Sequence, residues 1–228
     1  MIRRLALLLV VLGTLAAAAE FLLPAALSEL VARGMARTLG TDKVAVTLEN
    51  RPAIFMLGGD FTRVTAAARD AKVDRLVLSD ARVTMTGVKL DMEQLVASRT
   101  IALERVKTVD LAVTLSQEEI ARYIASSVKG ISNVAVTVTP SRVRASGMLT
   151  IGGIAKVAVT LEGRIVADQA ALKFVADRLV LNNAFARNIA GSVFSEVTLL
   201  EFAKLPFGVR GRDVAMEEGQ VVITADNR

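Results

Sequence analysis

One short motif in this sequence has the spacing of a catalytic site. Ser126-Ser-Val-Lys129 matches the S-x-x-K motif, in which a lysine near a serine supports acyl transfer. The companion motifs of such enzymes, S-D-N and K-T-G, are absent from the sequence. The serine also falls in the predicted last turn of a helix, where a lysine complements the helix dipole. We therefore interpret this motif as a helix end.

Acidic side chains offer a second route to catalysis, since two carboxylates can cleave a glycosidic bond. Three pairs occur close together in the sequence: Asp91 and Glu93, Glu118 and Glu119, and Glu217 and Glu218. Each pair falls at a predicted helix cap or turn, which gives these carboxylates a structural role. The chain also has no His and no Cys, which excludes His-dependent nucleophiles and most zinc sites. The sequence therefore predicts a protein without enzymatic activity, cofactor or metal.

The first 27 residues have the pattern of an export segment. Two arginines precede an apolar run over residues 5–15, and four alanines then provide small residues suited to cleavage. The apolar character continues past Glu20 to Leu27, so the segment approaches the roughly 20 residues of a membrane span. A cleaved signal peptide and a retained membrane anchor both stay open. Both place residues 28–228 outside the cytoplasm, in the cell envelope or secreted.

Beyond this segment, alternating apolar and polar residues dominate the chain. They predict strands at 43–49, 61–68, 73–78, 81–90, 101–115, 134–139, 142–150, 154–162, 164–167, 171–181, 214–216 and 220–224. Helices are predicted from Pro24 to Gly40, from Asp91, from Ser116 to Gly130, and after Asn182 or Asn183. This pattern favours one α+β domain over residues 28–228, with a long antiparallel sheet and a few helices on one side.

The heptapeptide KVAVTLE occurs twice, at residues 43–49 and 156–162. The flanking residues differ, and strands that alternate Val with Thr draw on few residue types. We interpret the match as a coincidence of strand composition and not as an internal duplication.

The charge of the chain bears on its partners. The formal net charge is +5 at pH 7, which favours an anionic membrane surface. The basic residues are scattered and none is interleaved with stacking aromatics, so no nucleic-acid partner is predicted.

Apolar residues supply the candidate binding surface. Residues 54–57 are apolar at four consecutive positions, and a half-buried strand or loop cannot hide all four side chains in one core. We therefore predict that part of this segment lines a lipid groove or touches a membrane, facing phenylalanines of the C-terminal third. Ordinary core is the alternative for these phenylalanines. The predicted lipid-binding residues are Ile54, Phe55, Met56, Leu57, Phe174, Phe185, Phe194, Phe202 and Phe207.

Several segments carry a resemblance to a known family. They are the N-terminal apolar segment with the Pro24 helix, RPAIFMLGGD (51–60), SQEEI (116–120), LPFGV (205–209) and EGQVVI (218–223). In order and layout they resemble the LmeA-like phospholipid-binding family of bacterial envelope proteins, which is related in fold to the tubular lipid-binding superfamily. The resemblance implies a long, strongly curved sheet wrapped around a helix, with acyl chains held in a groove and a role in envelope lipid handling.

The expected function is that of an exported, envelope-associated, non-enzymatic protein that binds phospholipid or another acyl lipid. Acyl burial would supply the affinity, at roughly 0.8 kcal/mol per CH₂ group. One alternative is a structural or assembly protein of the envelope, and another is a hydrolase acting on an envelope glycoconjugate. A continuous apolar cavity favours the first, a filled core the second, and two solvent-facing carboxylates in a cleft the third.

Overall fold

The fold is α+β and mostly antiparallel, with a strongly curled sheet, as predicted. A computed structural model describes residues 2–73, 75–98, 100–151, 155–168, 170–181, 196–202 and 208–228. The helix predicted after Asn182 or Asn183 lies outside the described residues, as do Phe185, Phe194 and Phe207. The described chain divides into two compact units. The single domain expected over residues 28–228 stays a prediction.

Unit 1 consists of Met1–Ala68 and Arg82–Val109. Its elements are helix α1 (Ile2–Leu39), strand β1 (Val44–Glu49), a 3₁₀ helix (Ala53–Gly58), most of strands β2 (Asp60–Val73) and β3 (Leu76–Leu90), helix α2 (Met92–Ser98) and strand β4 (Leu103–Arg105). Strand β1 pairs with β2 in antiparallel fashion. The backbone N–H of Leu48 in β1 donates a hydrogen bond to Ser28 Oγ of α1 at 3.1 Å. A side chain of the helix thus provides the acceptor for this N–H group of the strand.

The start of the helix predicted at Pro24 is wrong. Helix α1 runs without interruption from Ile2 to Leu39, and Pro24 lies inside it. A proline in a helix removes one backbone hydrogen bond, but the Leu and Ala residues on both sides are strong helix formers that carry the helix through. The predicted stop is confirmed, because Gly40 follows the helix in the left-handed region with φ 60°. Among the described residues, no helix is both long enough and apolar enough to cross a membrane.

Unit 2 consists of Arg69–Ala81 and Asp110–Arg228. It holds the ends of β2 and β3 together with β5 (Thr108–Ser116), α3 (Gln117–Ser127), β6 (Ile131–Thr139), β7 (Arg142–Ile151), β8 (Ala155–Ala167), β9 (Ala171–Leu181), β10 (Glu196–Glu201), β11 (Arg210–Glu217) and β12 (Gln220–Asp226). The strands of one sheet that contribute to unit 2 have the order β2-β3-β5-β12-β11, and a second, five-stranded sheet has the order β10-β9-β8-β7-β6.

Several predicted strand boundaries are wrong, and glycine and charge explain most of the errors. The segments 154–162 and 164–167 form one strand, β8, which bulges at Gly163. A Cβ atom at Gly163 would lie 2.1 Å from the carbonyl oxygen of Val175, so this glycine permits a close approach of β9 and does not end the strand. Strand β2 likewise continues through the charged residues after position 68.

Two further differences concern strands that the sequence pattern obscured. The single strand predicted at 101–115 is two strands, β4 and β5, and between them the Lys107 N–H donates to the carbonyl of Thr86 at 3.0 Å. Strand β10 was not predicted, because its six residues lie beside a segment whose spacing favoured a helix.

The five-stranded sheet has one polar and one apolar face. On the polar face, Arg144 of β7 donates to Glu162 of β8 at 2.9 and 2.6 Å, and these residues are direct cross-strand partners. Alternate positions on the same strands, including Val143, Ala145 and Leu161, are buried. The period-two alternation therefore directs one set of side chains to solvent and the other toward helix α3.

Candidate functional site

Helix α3 is the element that positions the candidate site, and its start is held by three contacts. Ser116 is the N-cap, and its Oγ accepts a hydrogen bond from the Glu119 backbone N–H at 3.3 Å. The reciprocal half of the predicted capping box does not form. The Glu119 carboxylate pairs with Arg122, and the Ser116 N–H donates to Ser79 Oγ at 3.2 Å. The cap is thus confirmed, and α3 is joined to strand β3 at its first turn.

Charge also stabilises this first turn. Hydrogen bonds from its own backbone N–H and from the Gln117 side chain hold the pKa of Glu118 below its usual range. A carboxylate at the N-terminus of a helix is stabilised further by the helix dipole. This acidic side chain therefore has the structural role that the sequence indicated.

A single helix contacts both edges of the five-stranded sheet. Helix α3 packs on β6, and the Tyr123 hydroxyl donates to the Thr198 carbonyl of β10 at 3.1 Å. In a flat five-stranded sheet the edge strands would lie about 19 Å apart. An α-helix is only about 10–12 Å wide with its side chains. The sheet must therefore curl around α3 for both contacts to form.

An apolar cleft lies between α3 and the curled sheet. Its cavity volume is about 20 Å³, room for roughly one water molecule, so the lining side chains nearly fill it. The lining residues are Ile124, Val128, Ile131, Val134, Ala145, Ser146, Gly147, Val159, Leu161, Phe174, Val197 and Leu199. Among them, only Ser146 has a polar side-chain atom. An apolar ligand in this cleft would gain free energy from dispersion contacts and from leaving water. It would find almost no hydrogen-bond partners there.

The cleft has a buried floor and a half-buried mouth. Val159, Phe174 and Leu199 are almost completely buried and form the floor. Ile124 and Val134 are half-buried and stand at the mouth, as do Val128, Ile131 and Val197. Aliphatic side chains that stay partly in contact with water gain free energy when an apolar ligand covers them.

The predicted site residues fall in different places. Phe174 lines the cleft. Phe202 is 1% exposed and packs so closely on Gly211 that a Cβ atom there would lie 2.5 Å from its ring, a position that fits ordinary core. Residues 54–57 belong to unit 1, whereas the cleft is formed within unit 2. Of the predicted residues that the structure describes, Phe174 is therefore the one that lines the cleft.

Most of the lining residues were missed by sequence reasoning. The apolar stripe of α3, with Ile120, Ile124 and Val128, was visible in the sequence, and so was the alternation of the strands. In the structure Ile120 is 1% exposed, whereas the other two residues reach the cleft. Spacing identifies the face of a helix, but it does not distinguish a filled interface from an open one.

Three of the groups considered for catalysis, Ser126, Asp91 and Glu217, have local hydrogen-bond partners. The Ser126 hydroxyl is exposed and donates to the Tyr123 carbonyl at 2.9 Å, as expected at a helix end. Asp91 caps α2 by accepting from the Gln94 backbone N–H at 2.9 Å, and Glu217 accepts from the Gln220 side chain at 2.7 Å. No group of three metal-ligating side chains occurs within the part of the chain that the structure describes.

Together these features define a class of protein in which a sheet curls around a helix and an apolar cleft lies between them. A family model described as LmeA-like phospholipid-binding matches residues 18–226. The chain belongs to the LmeA-like phospholipid-binding family, which confirms the resemblance found in its sequence. No curated protein and no solved structure matches the chain.

Proposed function

We propose that this protein binds the acyl chains of a phospholipid in the cleft beside α3, acts outside the cytoplasm, and catalyses no reaction. The observation that carries the proposal is the cleft itself, whose lining contains one polar side-chain atom and whose mouth leaves five aliphatic residues half-buried. Membership of a phospholipid-binding family supports the same class of ligand.

The acyl chain enters at the C-terminal end of α3 in this proposal. The first turn of the helix is held by the Ser116 cap and its middle by the Tyr123 hydrogen bond. Val128 is the C-cap residue that follows α3, and it stands at the mouth beside Ile131. Parting the narrow cleft there costs some side-chain contacts. Each CH₂ group that leaves water offsets this cost by roughly 0.8 kcal/mol.

In this proposal the headgroup of the phospholipid binds beside Arg75. A second, more polar hollow in unit 2 is lined by Val73, Arg75, Leu76, Tyr123 and residues 198–201. It shares Leu199 with the acyl cleft, so an acyl chain in one space can place its headgroup in the other. Arg75 is exposed, and a guanidinium can bind a phosphate through two parallel hydrogen bonds.

Delivery across the cytoplasmic membrane rests on the N-terminal segment, with its two arginines and apolar run. A reporter that is active only in the cytoplasm, fused after Arg228, should be silent, and strong reporter activity would refute export. Comparison of the mature protein with a truncated size standard then separates cleavage near Ala19 from a retained anchor.

The assignment of the cleft as the lipid site can be tested with a substitution that fills the cleft. Val134 lines the mouth from β6, whereas its neighbour Ala135 is exposed on the same strand. We expect Val134→Trp to reduce the phospholipid that co-purifies with the full chain, as measured by native mass spectrometry. Ala135→Trp is the matched control and should retain its lipid.

Two outcomes would decide against this assignment. Equal lipid retention by both folded variants would remove the cleft as the lipid site. A wild-type chain that carries no lipid and takes up none from added phospholipid would favour the structural or assembly role with a filled core.

A further inference from the structure

The large exposed apolar side chains are concentrated in unit 1. Of the seven such residues in the described part of the chain, only Val166 belongs to unit 2. Five of the others lie where α1 meets the 3₁₀ helix, and we refer to these five as the apolar tip: Phe21, Leu22, Ile54, Phe55 and Leu57. The Ala53 N–H donates to the Glu20 carboxylate at 2.9 Å, which brings the two elements together directly beside Phe21.

The exposure of the tip follows from the geometry of the 3₁₀ helix. With about three residues per turn, positions i and i+3 share a face. Ala53 and Met56 are both 0% exposed and form the buried face, so the residues between and after them must point outward. Phe55 is 57% exposed as a result, and Ile54 and Leu57 are also more than half exposed.

The 3₁₀ helix is also fixed at its C-terminal end. Gly59 follows it with φ 83°, and its carbonyl accepts a hydrogen bond from the Leu90 N–H at 2.9 Å. A Cβ atom at Gly59 would lie 2.1 Å from the Leu90 carbonyl oxygen, so only glycine fits between the two strands. The apolar side chains of the tip are thus displayed by a segment held at both ends.

The exposure of five large apolar side chains to water is unfavourable for the free energy of the folded protein. Each of the five side chains of the tip forgoes much of the free energy that full burial would contribute. Contiguous apolar surface on a folded protein usually marks the place where a partner binds. The question is which partner covers the tip.

Two observations point to a lipid bilayer. Helix α1 continues from Phe21 back into the apolar run of residues 5–18, so the tip adjoins a longer apolar segment. Basic side chains also flank the 3₁₀ helix. Arg51 precedes it and is exposed, and Lys89 Nζ donates to the Gly58 carbonyl at its end at 2.6 Å. Cations beside an apolar surface are attracted to anionic headgroups.

The acidic groups nearby do not cancel this attraction. Asp60 pairs with Lys89 at 3.0 Å and with Arg105 at 3.8 Å, so that cluster retains a net positive charge. Glu20 accepts a hydrogen bond from the Ala53 N–H and keeps its negative charge, so three basic groups (Arg51, Lys89 and Arg105) and two acidic groups (Asp60 and Glu20) leave a net charge of +1. The rim of the tip is therefore complementary to an anionic lipid surface.

We propose that the apolar tip inserts into the interfacial region of an anionic phospholipid bilayer and docks unit 1 on it. Side chains on interfacial helices reach about 5–10 Å into the headgroup and acyl boundary, a depth that five side chains on short elements can span. This docking surface is distinct from the acyl cleft of unit 2. It neither requires nor implies that the cleft holds lipid.

The test uses the absence of cysteine from the chain. Phe55→Cys in the full chain is labelled with an environment-sensitive fluorophore and added to vesicles of phosphatidylcholine and phosphatidylglycerol. The matched control is Asp42→Cys. Asp42 is exposed just beyond the far end of α1, and the 19 residues from Glu20 to Leu39 rise about 28 Å along the helix.

The proposal expects a blue-shifted emission at position 55, with quenching by lipids brominated on their acyl chains, and neither effect at position 42. Because both variants share the same N-terminal segment, tethering by that segment cannot produce the difference. Equal, water-like emission at both positions would overturn the proposal.

A second variant separates docking from lipid binding in the cleft. Leu57→Glu, combined with the label at position 55, should lower the quenching to the level of the Asp42 control while the circular dichroism spectrum is unchanged. Lipid retention in native mass spectrometry should stay at the wild-type level. Undiminished quenching in this variant would refute docking by the tip, whereas loss of lipid from Val134→Trp alone concerns only the cleft.

Discussion

Two apolar surfaces of this protein are built from similar side chains but are exposed to different degrees. At the tip of unit 1, Ile54, Phe55 and Leu57 are each more than half exposed. In the cleft of unit 2, the comparable side chains of α3 and β6 are half-buried, and the floor beneath them is buried. The difference shows that apolar composition alone does not determine what a surface binds.

The origin of each surface explains the contrast. Three of the five tip residues lie within the six residues of one 3₁₀ helix, which turns Ala53 and Met56 inward and leaves Ile54, Phe55 and Leu57 exposed. The cleft forms only when α3 packs against a sheet whose strand β10 is distant from the helix in sequence. Substitutions at the tip should therefore act locally, whereas substitutions in the cleft should affect both folding and ligand binding.

The largest expected effect separates two adjacent residues of the 3₁₀ helix. The sequence pattern does not distinguish Phe55 from Met56, and both are among the predicted lipid-binding residues. In the structure Met56 is 0% exposed, whereas Phe55 is more than half exposed. We expect Met56→Asp to lose several kcal/mol and fail to fold stably at 37 °C. Phe55→Asp should unfold within a few degrees of wild type in a thermal scan.

A similar pair of neighbours tests the cleft. Ile124→Ser removes an aliphatic group from the mouth, and Ala125→Ser changes an exposed position on the other side of the same turn. We expect Ile124→Ser to cost about 1–2 kcal/mol in a urea titration and to reduce lipid retention. If the control lost as much lipid, the effect would belong to the helix as a whole and not to the cleft.

The headgroup contact should have a smaller effect. Replacing Arg75 by Gln removes one charged partner of a phosphate, and we expect binding of phosphatidylglycerol to weaken about three- to tenfold. Arg178 is exposed on β9 and does not line either hollow, so Arg178→Gln serves as the control. Equal weakening in both variants would indicate a general effect of charge.

The smallest expected effect is a pH dependence confined to unit 2. Hydrogen bonds from the backbone N–H groups of Ala171 and Ala170, together with Lys173, hold the pKa of Asp168 below its usual range. A depressed carboxyl pKa contributes stability above the unfolded value, near 3.9, and that contribution is lost as pH falls through the folded pKa. Asp168→Asn should therefore lose less stability than wild type between about pH 5 and pH 2 in acid titrations followed by circular dichroism. An identical loss would show that this turn does not contribute.

The local signals of the sequence were reliable where one residue determines the backbone. The caps at Asp91 and Ser116 and the helix stop at Gly40 all form, because each depends on a side chain or a φ angle within a few residues. The segment 54–57 was correctly expected to leave some side chains uncovered. Its 3₁₀ conformation was not predicted, because four consecutive apolar residues carry no period.

The cleft could not be predicted from the sequence pattern. Ile124 and Val128 were placed on one face of α3, and that face does contact the sheet. Nothing in their spacing indicated that the sheet curls until both of its edges meet the helix. Phe174 was included among the predicted lipid-binding residues for its aromatic character, and its position in the floor follows from the register of β9 with β8.

The repeated heptapeptide separates what the local sequence determines from what the tertiary structure determines. The alternation of Val and Leu with polar residues determined that both copies form strands, β1 and part of β8, with Leu48 and Leu161 on the buried face. Only the tertiary structure decided their neighbours. Among the described strands, β1 pairs only with β2, whereas β8 lies between β7 and β9, and the Glu162 carboxylate of β8 accepts a hydrogen bond from Arg144. Side-chain alternation is a property of seven residues, but a strand's partners depend on which distant segments the chain brings beside it.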